Sequence, residues 1–151
     1  MSEMQKKLTE DLFAQLKKKA SFVMLHTIDA DSAGPTSSAI SWIYAVDPTT
    51  LRFAIDQRSR LVGNIRGNSM VAISVFSSGT VYEVTGKTVV VAEALEEVPF
   101  KLTCIDVAIE SVRDAMFYGA RITSEPEHEK TYDQRAADKL DDQVFTAMKK
   151  A

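Results

Sequence analysis

Short apolar segments rich in β-branched residues occupy most of residues 21–94, and turn-forming residues separate them. Segments of this kind are typical of β-strands, and clusters of Asp, Ser, Gly and Pro are typical of the turns between them. The predicted strands are residues 21–28, 36–46, 51–55, 70–76 and 81–94, the last with a bulge or bend at Gly86. Five or six antiparallel strands would leave exposed edges, and closure into a barrel removes them.

Three other segments carry apolar residues at the three- and four-residue spacing of an amphipathic helix. They are residues 2–19, residues 96–117 and the segment from residue 135 onward. A short fourth helix is predicted after Ser59. Helices on both sides of a block of strands define an α+β domain with the barrel at its centre. Because the chain has 151 residues, we expect one domain, residues 1–151.

Composition and charge limit the classes of function. The net charge of −3 argues against a protein that binds nucleic acid through the charge of its backbone. Cys104 is the one cysteine, which precludes an internal disulfide and favours a reducing compartment. We find no signal-peptide-like start and no apolar run long enough to span a membrane. We therefore expect a cytoplasmic protein with no membrane partner.

The stretch at residues 53–68 combines a strand end, a polar turn and the short helix. Ser59 is predicted to cap this helix, with Arg58 and Arg60 on either side of it. The first N–H groups of a helix lack internal partners and carry partial positive charge, so two arginines beside them suit a phosphate or another anion. The alternative is an ordinary capped helix with solvated arginines, and the local sequence leaves both interpretations open.

Other residues that could carry chemistry have simpler explanations. Asp29 and Asp31 fall in a turn without further metal ligands nearby, and His128 lacks the second His or Cys of a transition-metal site. His26 is predicted to be a hydrogen-bonded strand residue, and Cys104 an inert packed thiol. We therefore predict no metal site, and the pattern identifies no catalytic residue.

A larger pattern ties these segments together. A turn at Gly34 and Pro35 precedes a strand of small polar residues, then an apolar and aromatic hairpin, and then the Ser59 turn with a helix that contains Asn64. Over residues 21–94 this order resembles the pyridoxamine 5′-phosphate oxidase-like flavoproteins, in particular their general stress protein branch. The resemblance implies an antiparallel split β-barrel with flanking helices. It also implies a homodimer that binds FMN at the subunit interface.

The resemblance implies a cofactor site on two segments. The strand after the Gly-Pro turn would line the flavin ring, and the later strand end, turn and helix would hold the phosphate. The implied cofactor-binding residues are Ser38, Ala39, Ile40, Ser41, Ala54, Ile55, Asp56, Ser59, Arg60, Leu61 and Asn64, with Arg58 as an added cation. Three positions depart from the pyridoxamine 5′-phosphate oxidases: Ser38 replaces an arginine, Ile55 a threonine, and Leu61 a lysine that contacts the phosphate. Loss of that lysine removes a charge-assisted contact, for which Arg58 and Arg60 could compensate.

These features predict an FMN-dependent oxidoreductase whose substrate and electron donor the sequence leaves open. In such a protein the flavin performs the chemistry, and the chain binds and orients it. One alternative is a dimeric module that binds flavin, haem or another cofactor without turnover. Another is a structural dimer whose barrel groove is filled by its own side chains. The C-terminal half lacks an arginine-and-tryptophan segment that would match pyridoxal phosphate binding, so a vitamin B6 oxidase is not predicted.

Overall fold

Seven strands and three helices make up the protein, in a computed structural model that describes residues 4–18 and 21–151. The strands are β1 (Val23–Ile28), β2 (Pro35–Ile40), β3 (Ile43–Asp47), β4 (Thr50–Asp56), β5 (Met70–Ser77), β6 (Thr80–Ala92) and β7 (Leu102–Asp114). The helices are α1 (Glu10–Leu16), α2 (Arg60–Gly67) and α3 (Gln134–Lys150). The predicted N-terminal helix is therefore shorter than residues 2–19, and parts of that range lie outside the described residues. The predicted α+β class is confirmed.

The strands form one antiparallel sheet in the order β2-β1-β5-β6-β7-β4-β3. Within the described residues the sheet does not close through hydrogen bonds, because β2 and β3 are its two edges. The prediction of a single strand over residues 36–46 is wrong at this point. The strand is interrupted at Ser41 and Trp42, and the two halves of the segment lie at opposite ends of the strand order. This break is what splits the barrel.

The prediction of a helix at residues 96–117 is also wrong, because the segment forms β7. This strand lies between β4 and β6, and its first half, as far as Val107, is covered on both faces. Ile105 and Val107 pack in the barrel core, whereas Leu102 and Cys104 pack under α3. A strand buried on both faces shows no alternation of apolar and polar residues, so its apolar positions matched a helical spacing by coincidence. With β7 and the divided segment, the sheet has seven strands instead of five or six.

Two clusters of buried side chains hold the elements together. The larger one fills the barrel, where α1 contributes Leu12 and Leu16 and α2 contributes Leu61 and Ile65. The smaller cluster lies between α3 and the outer face of the sheet, and it includes Tyr44, Ala54, Cys104, Val144, Phe145 and Met148. The predicted C-terminal helix is thus confirmed, and it covers the sheet where β7 and β4 need a second layer. In the described part of the chain, no helix is long and apolar enough to cross a membrane.

The predicted irregularity at Gly86 is confirmed as a shift of register between β6 and β7. A Cβ atom at Gly86 would lie 2.3 Å from the carbonyl oxygen of Ala108 and 2.8 Å from a methyl carbon of Val107. The two strands can therefore approach this closely only with glycine at position 86.

We expect Gly86→Ala to lower the free energy of unfolding by about 1–3 kcal/mol, because the backbone must move to accept the methyl group. Denaturant unfolding would measure the change. Gly63→Ala is the matched control, since a Cβ atom there meets nothing within 4 Å in the exposed face of α2. Ala is the better helix former, so the control should be neutral or stabilising by up to about 1 kcal/mol. Equal effects of the two substitutions would contradict this explanation of Gly86.

Candidate functional site

An open cleft of about 300 Å³ lies where the barrel is split. Its walls come from the end of β2 and the break that follows it, the end of β4, and the turn before α2. The lining residues are Ala39, Ile40, Ser41, Trp42, Ala54, Ile55, Asp56, Ser59 and Lys130. Seven of these are among the twelve cofactor-binding residues that the sequence implied. The two segments on which the predicted site depends are therefore brought to one cleft.

The turn at residues 56–59 is built around the Asp56 carboxylate. Arg58 donates to it from its backbone N–H (2.8 Å) and from its guanidinium (3.2 Å). These hydrogen bonds, chiefly the guanidinium bonds, hold the pKa of Asp56 below its ordinary value. Ser59 then caps α2 as predicted, because its hydroxyl oxygen accepts the N–H of Leu61 at 3.2 Å. Since no described residue accepts the Ser59 hydroxyl hydrogen, that hydrogen is available as a donor beside the cleft.

Neither predicted arginine lines the cleft. The Arg58 side chain is 90% exposed and stays on Asp56. Arg60 reaches the start of β2 and the turn after β1, where its guanidinium donates to the Thr36 hydroxyl at 3.2 Å and lies 3.6 Å from the Asp29 carboxylate. Each arginine thus has a carboxylate partner of its own, and the charge available to an anion at this turn is smaller than the sequence suggests.

Three further predicted residues also lie away from the cleft walls. Leu61 is 6% exposed and packs in the barrel core. Its side chain therefore does not face the cleft, as a lysine that binds a phosphate there would. The Asn64 side chain is buried; it donates to the Thr27 hydroxyl at 3.1 Å and accepts the N–H of Ala30 at 2.9 Å. Both halves of this amide are used to join α2 to the end of β1. Ser38 is half-buried opposite Leu25 of β1.

Trp42 and Lys130 line the cleft but were not among the predicted site residues. The Lys130 ammonium donates to the Asp141 carboxylate of α3 at 3.2 Å, and the Trp42 indole N–H donates to the same oxygen at 2.8 Å. The Lys130 and Asp141 side chains are only 20% and 13% exposed. Lys130 belongs to the polar segment between β7 and α3, where no periodicity marks a site. Its position became evident only from the packing of α3.

The cleft combines apolar and polar walls in a way that suits an amphipathic ligand. Ile40, Trp42 and Ile55 offer apolar surface, whereas Ser41 and Ser59 offer hydroxyl groups. Sites for small molecules commonly combine an apolar lining with a few placed polar groups. Among the described residues there is no cluster of His, Cys, Asp and Glu that could hold a metal ion.

The remaining candidates have structural explanations. Asp29 accepts the N–H groups of Asp31 and Ser32, as the predicted turn requires. His26 lies on β1 between the hydroxyls of Ser37 and Ser74, each 2.8 Å from a ring nitrogen. Cys104 is fully buried, and burial raises the pKa of its thiol to about 11. A thiol with so high a pKa is a poor nucleophile near neutral pH, which agrees with the packed role expected for it.

Solved structures share this split-barrel fold. A candidate pyridoxamine 5′-phosphate oxidase from Lactobacillus delbrueckii is 24% identical, with a TM-score of 0.61 over 72% of this chain and 94% of that one. General stress protein 26 from Bacillus anthracis is 12% identical, with a TM-score of 0.52 over 66% of this chain and 88% of that one. An F420 reductase is 19% identical, with a TM-score of 0.51 over 69% of this chain and 98% of that one. At these identities the likeness establishes the fold.

The sequence itself establishes the family. A family model described as pyridoxamine 5′-phosphate oxidase matches residues 9–115, which is more than half of the chain. The protein therefore belongs to the pyridoxamine 5′-phosphate oxidase family. A comparison with curated proteins gave no match.

We expect Ser59→Ala to lower the free energy of unfolding by about 1 kcal/mol, because it removes the cap of α2. Ser59→Asp should restore most of that loss, since an aspartate side chain also accepts the N–H groups at the start of a helix. Thermal or denaturant unfolding of the two variants would measure the difference. Ser124→Ala is the control, at an exposed serine in the segment before α3, and should have no effect. An unchanged stability in Ser59→Ala would contradict the capping role.

Proposed function

We propose that this protein binds FMN in the cleft and acts as an FMN-dependent oxidoreductase, as a homodimer that holds the cofactor at the subunit interface. The observation that carries the proposal is that the family's two cofactor-binding segments meet at one cleft, which seven of the implied residues line. Membership of the pyridoxamine 5′-phosphate oxidase family supports the choice of ligand. We also propose a cytoplasmic location, on the basis of the single cysteine Cys104.

The residues present fit a flavin phosphate and ring better than they fit a haem. Hydroxyl donors at Ser41 and Ser59 and the start of α2 suit a phosphate monoester. Ile40, Trp42 and Ile55 suit an aromatic ring system. None of the nine residues lining the cleft is a His, Cys, Met or Tyr, the common axial ligands of haem iron.

The size of the cleft supports the homodimer. Small-molecule sites commonly measure about 300–1,000 Å³, so this open cleft is at the lower limit and a ligand as large as FMN would extend beyond it. A second copy of the chain would cover the remainder of the ligand. Apolar side chains that stay exposed on β6, Val89 and Val91, lie on one face of that strand and offer surface for such an interface.

When bound, FMN would supply the electron transfer, because flavins accept and donate electrons in both single and paired steps. The chain's own residues would bind and orient it. Ser59 and the start of α2 would hold the phosphate, and the strand end at residues 39–41 would contact the ring. Trp42 and Ile55 would exclude water from the part of the cleft between the phosphate and the ring.

Flavin binding is testable through Trp42, because it is the only tryptophan in the chain and lines the cleft. We expect FMN to quench its fluorescence in a saturable titration, and the complex to show the visible absorption of a bound flavin. Ser59→Asp should weaken FMN binding by at least about tenfold, because a carboxylate against a phosphate costs several kcal/mol. Ser59→Ala should bind with a smaller loss. A protein that shows neither quenching nor a flavin spectrum would contradict the proposal.

The same complex separates an oxidoreductase from a binding module. An oxidoreductase should lose its visible flavin absorption when NADH or NADPH is added without oxygen. A complex that binds FMN but is not reduced by any donor tested would favour the non-catalytic module.

We expect a dimer by light scattering at micromolar concentration, since a cofactor at the subunit interface requires two chains. FMN should stabilise the dimer, because ligand bound by both chains adds to the free energy of association. A strictly monomeric protein, both with and without FMN, would contradict an interface site.

A further inference from the structure

We infer that Lys130 is the cation that recognises the phosphate group of the ligand in this cleft. The inference rests on the proposed function, since it assigns a residue to the same site. It also names the class of ligand that the site selects: a flavin or related aromatic compound carrying a phosphate monoester, as opposed to the unphosphorylated form.

The turn before α2 places no cation on the wall of the cleft. Position 61 holds a leucine whose side chain is buried in the barrel core. Neither Arg58 nor Arg60 lines the cleft. Of the residues that line the cleft, Lys130 is the one with a positively charged side chain.

Lys130 is held in place before any ligand binds. Its ammonium lies 3.2 Å from the Asp141 carboxylate, which the Trp42 indole N–H also binds at 2.8 Å. The ring of His128, two residues earlier, lies 6.0 Å from the ring of Phe22, which directly precedes β1. An ordered lysine loses less conformational entropy on binding than a lysine on a free surface.

The ammonium also has donors to spare. A lysine carries three N–H groups, and Asp141 is its one hydrogen-bond partner in the described residues. The others are available to phosphate oxygens on the cleft side. A phosphate monoester near neutral pH carries between one and two negative charges, so a charge-assisted hydrogen bond from the ammonium would stabilise it while the bond to Asp141 is kept.

This cation lies outside the part of the chain that matches the family. The match ends at residue 115, and Lys130 follows it in the segment that leads to α3. Lys130 would thus bring a phosphate-binding charge to the cleft from a segment outside the family match. Leu61, at the family's lysine position, packs in the core.

The test compares FMN with riboflavin, which has the same ring and ribityl chain but no phosphate. Dissociation constants are measured by equilibrium dialysis for the wild type, Lys130→Gln, Lys130→Arg and the control Lys139→Gln, whose lysine is exposed on α3 away from this cleft. The wild type should prefer FMN. Lys130→Gln should lose about tenfold to a hundredfold in FMN affinity, with riboflavin affinity unchanged. Lys130→Arg should retain most of the preference, and Lys139→Gln all of it.

A second measurement separates charge recognition from a structural role. Wild-type FMN affinity should fall as salt is raised, because salt screens the partly exposed ammonium, and this dependence should be weaker in Lys130→Gln. Thermal unfolding would establish that the variant is folded.

The outcomes separate this inference from the proposed function. If the wild type binds neither compound, both fail. If Lys130→Gln keeps the wild-type preference for FMN over riboflavin, or loses both affinities equally, the assignment of Lys130 is overturned and flavin binding stands.

Discussion

The two edge strands of the sheet, β2 and β3, come from one stretch of chain. The shape of the cleft depends on where that stretch is interrupted. β2 and β3 are separated by two residues, yet they lie at opposite ends of the hydrogen-bonded strand order. The backbone at the break lies outside both strands, so its polar groups need partners of their own. The Ala54 N–H donates to the Trp42 carbonyl at 3.0 Å, and the turn before α2 and the segment before α3 supply the polar groups around the opening.

The second constraint is that the middle of the sheet must be covered on its outer face, and α3 provides that cover. Arg52 holds the end of the helix: it binds Asp106 through two bonds of 2.6 and 3.0 Å and donates to the Met148 carbonyl at 2.9 Å. The hydrogen bonds to Asp106 raise the pKa of Arg52, so this half-buried guanidinium stays charged. Arg52 and Asp106 thus both have hydrogen-bond partners, as a pair of charges removed from water requires. The same helix presents Asp141 to Trp42 and Lys130, so the element that completes the second core also shapes the cleft.

Local patterns predicted much of this arrangement correctly. Most strand segments, the cap at Ser59, the irregularity at Gly86 and the final helix depend on residues close in sequence, and each is present. The prediction failed at residues 96–117, because a strand covered on both faces has the composition of a buried helix. It also failed at residues 41–42, where an uninterrupted strand pattern continues through a break that places β2 and β3 at opposite edges of the sheet.

Through its resemblance to the family, the sequence predicted which two segments meet at the cleft, and local patterns predicted the strand end and the capped turn within them. Only the tertiary structure decided which side chains face it. Leu61 and Asn64 point into the protein because α2 packs on the barrel and the end of β1, and the predicted arginines turn to nearby carboxylates. Lys130 and Trp42 reach the cleft through Asp141, which lies 99 residues from Trp42 in the chain. No local pattern records a contact of that sequence separation, because it depends on how α3 docks against the sheet.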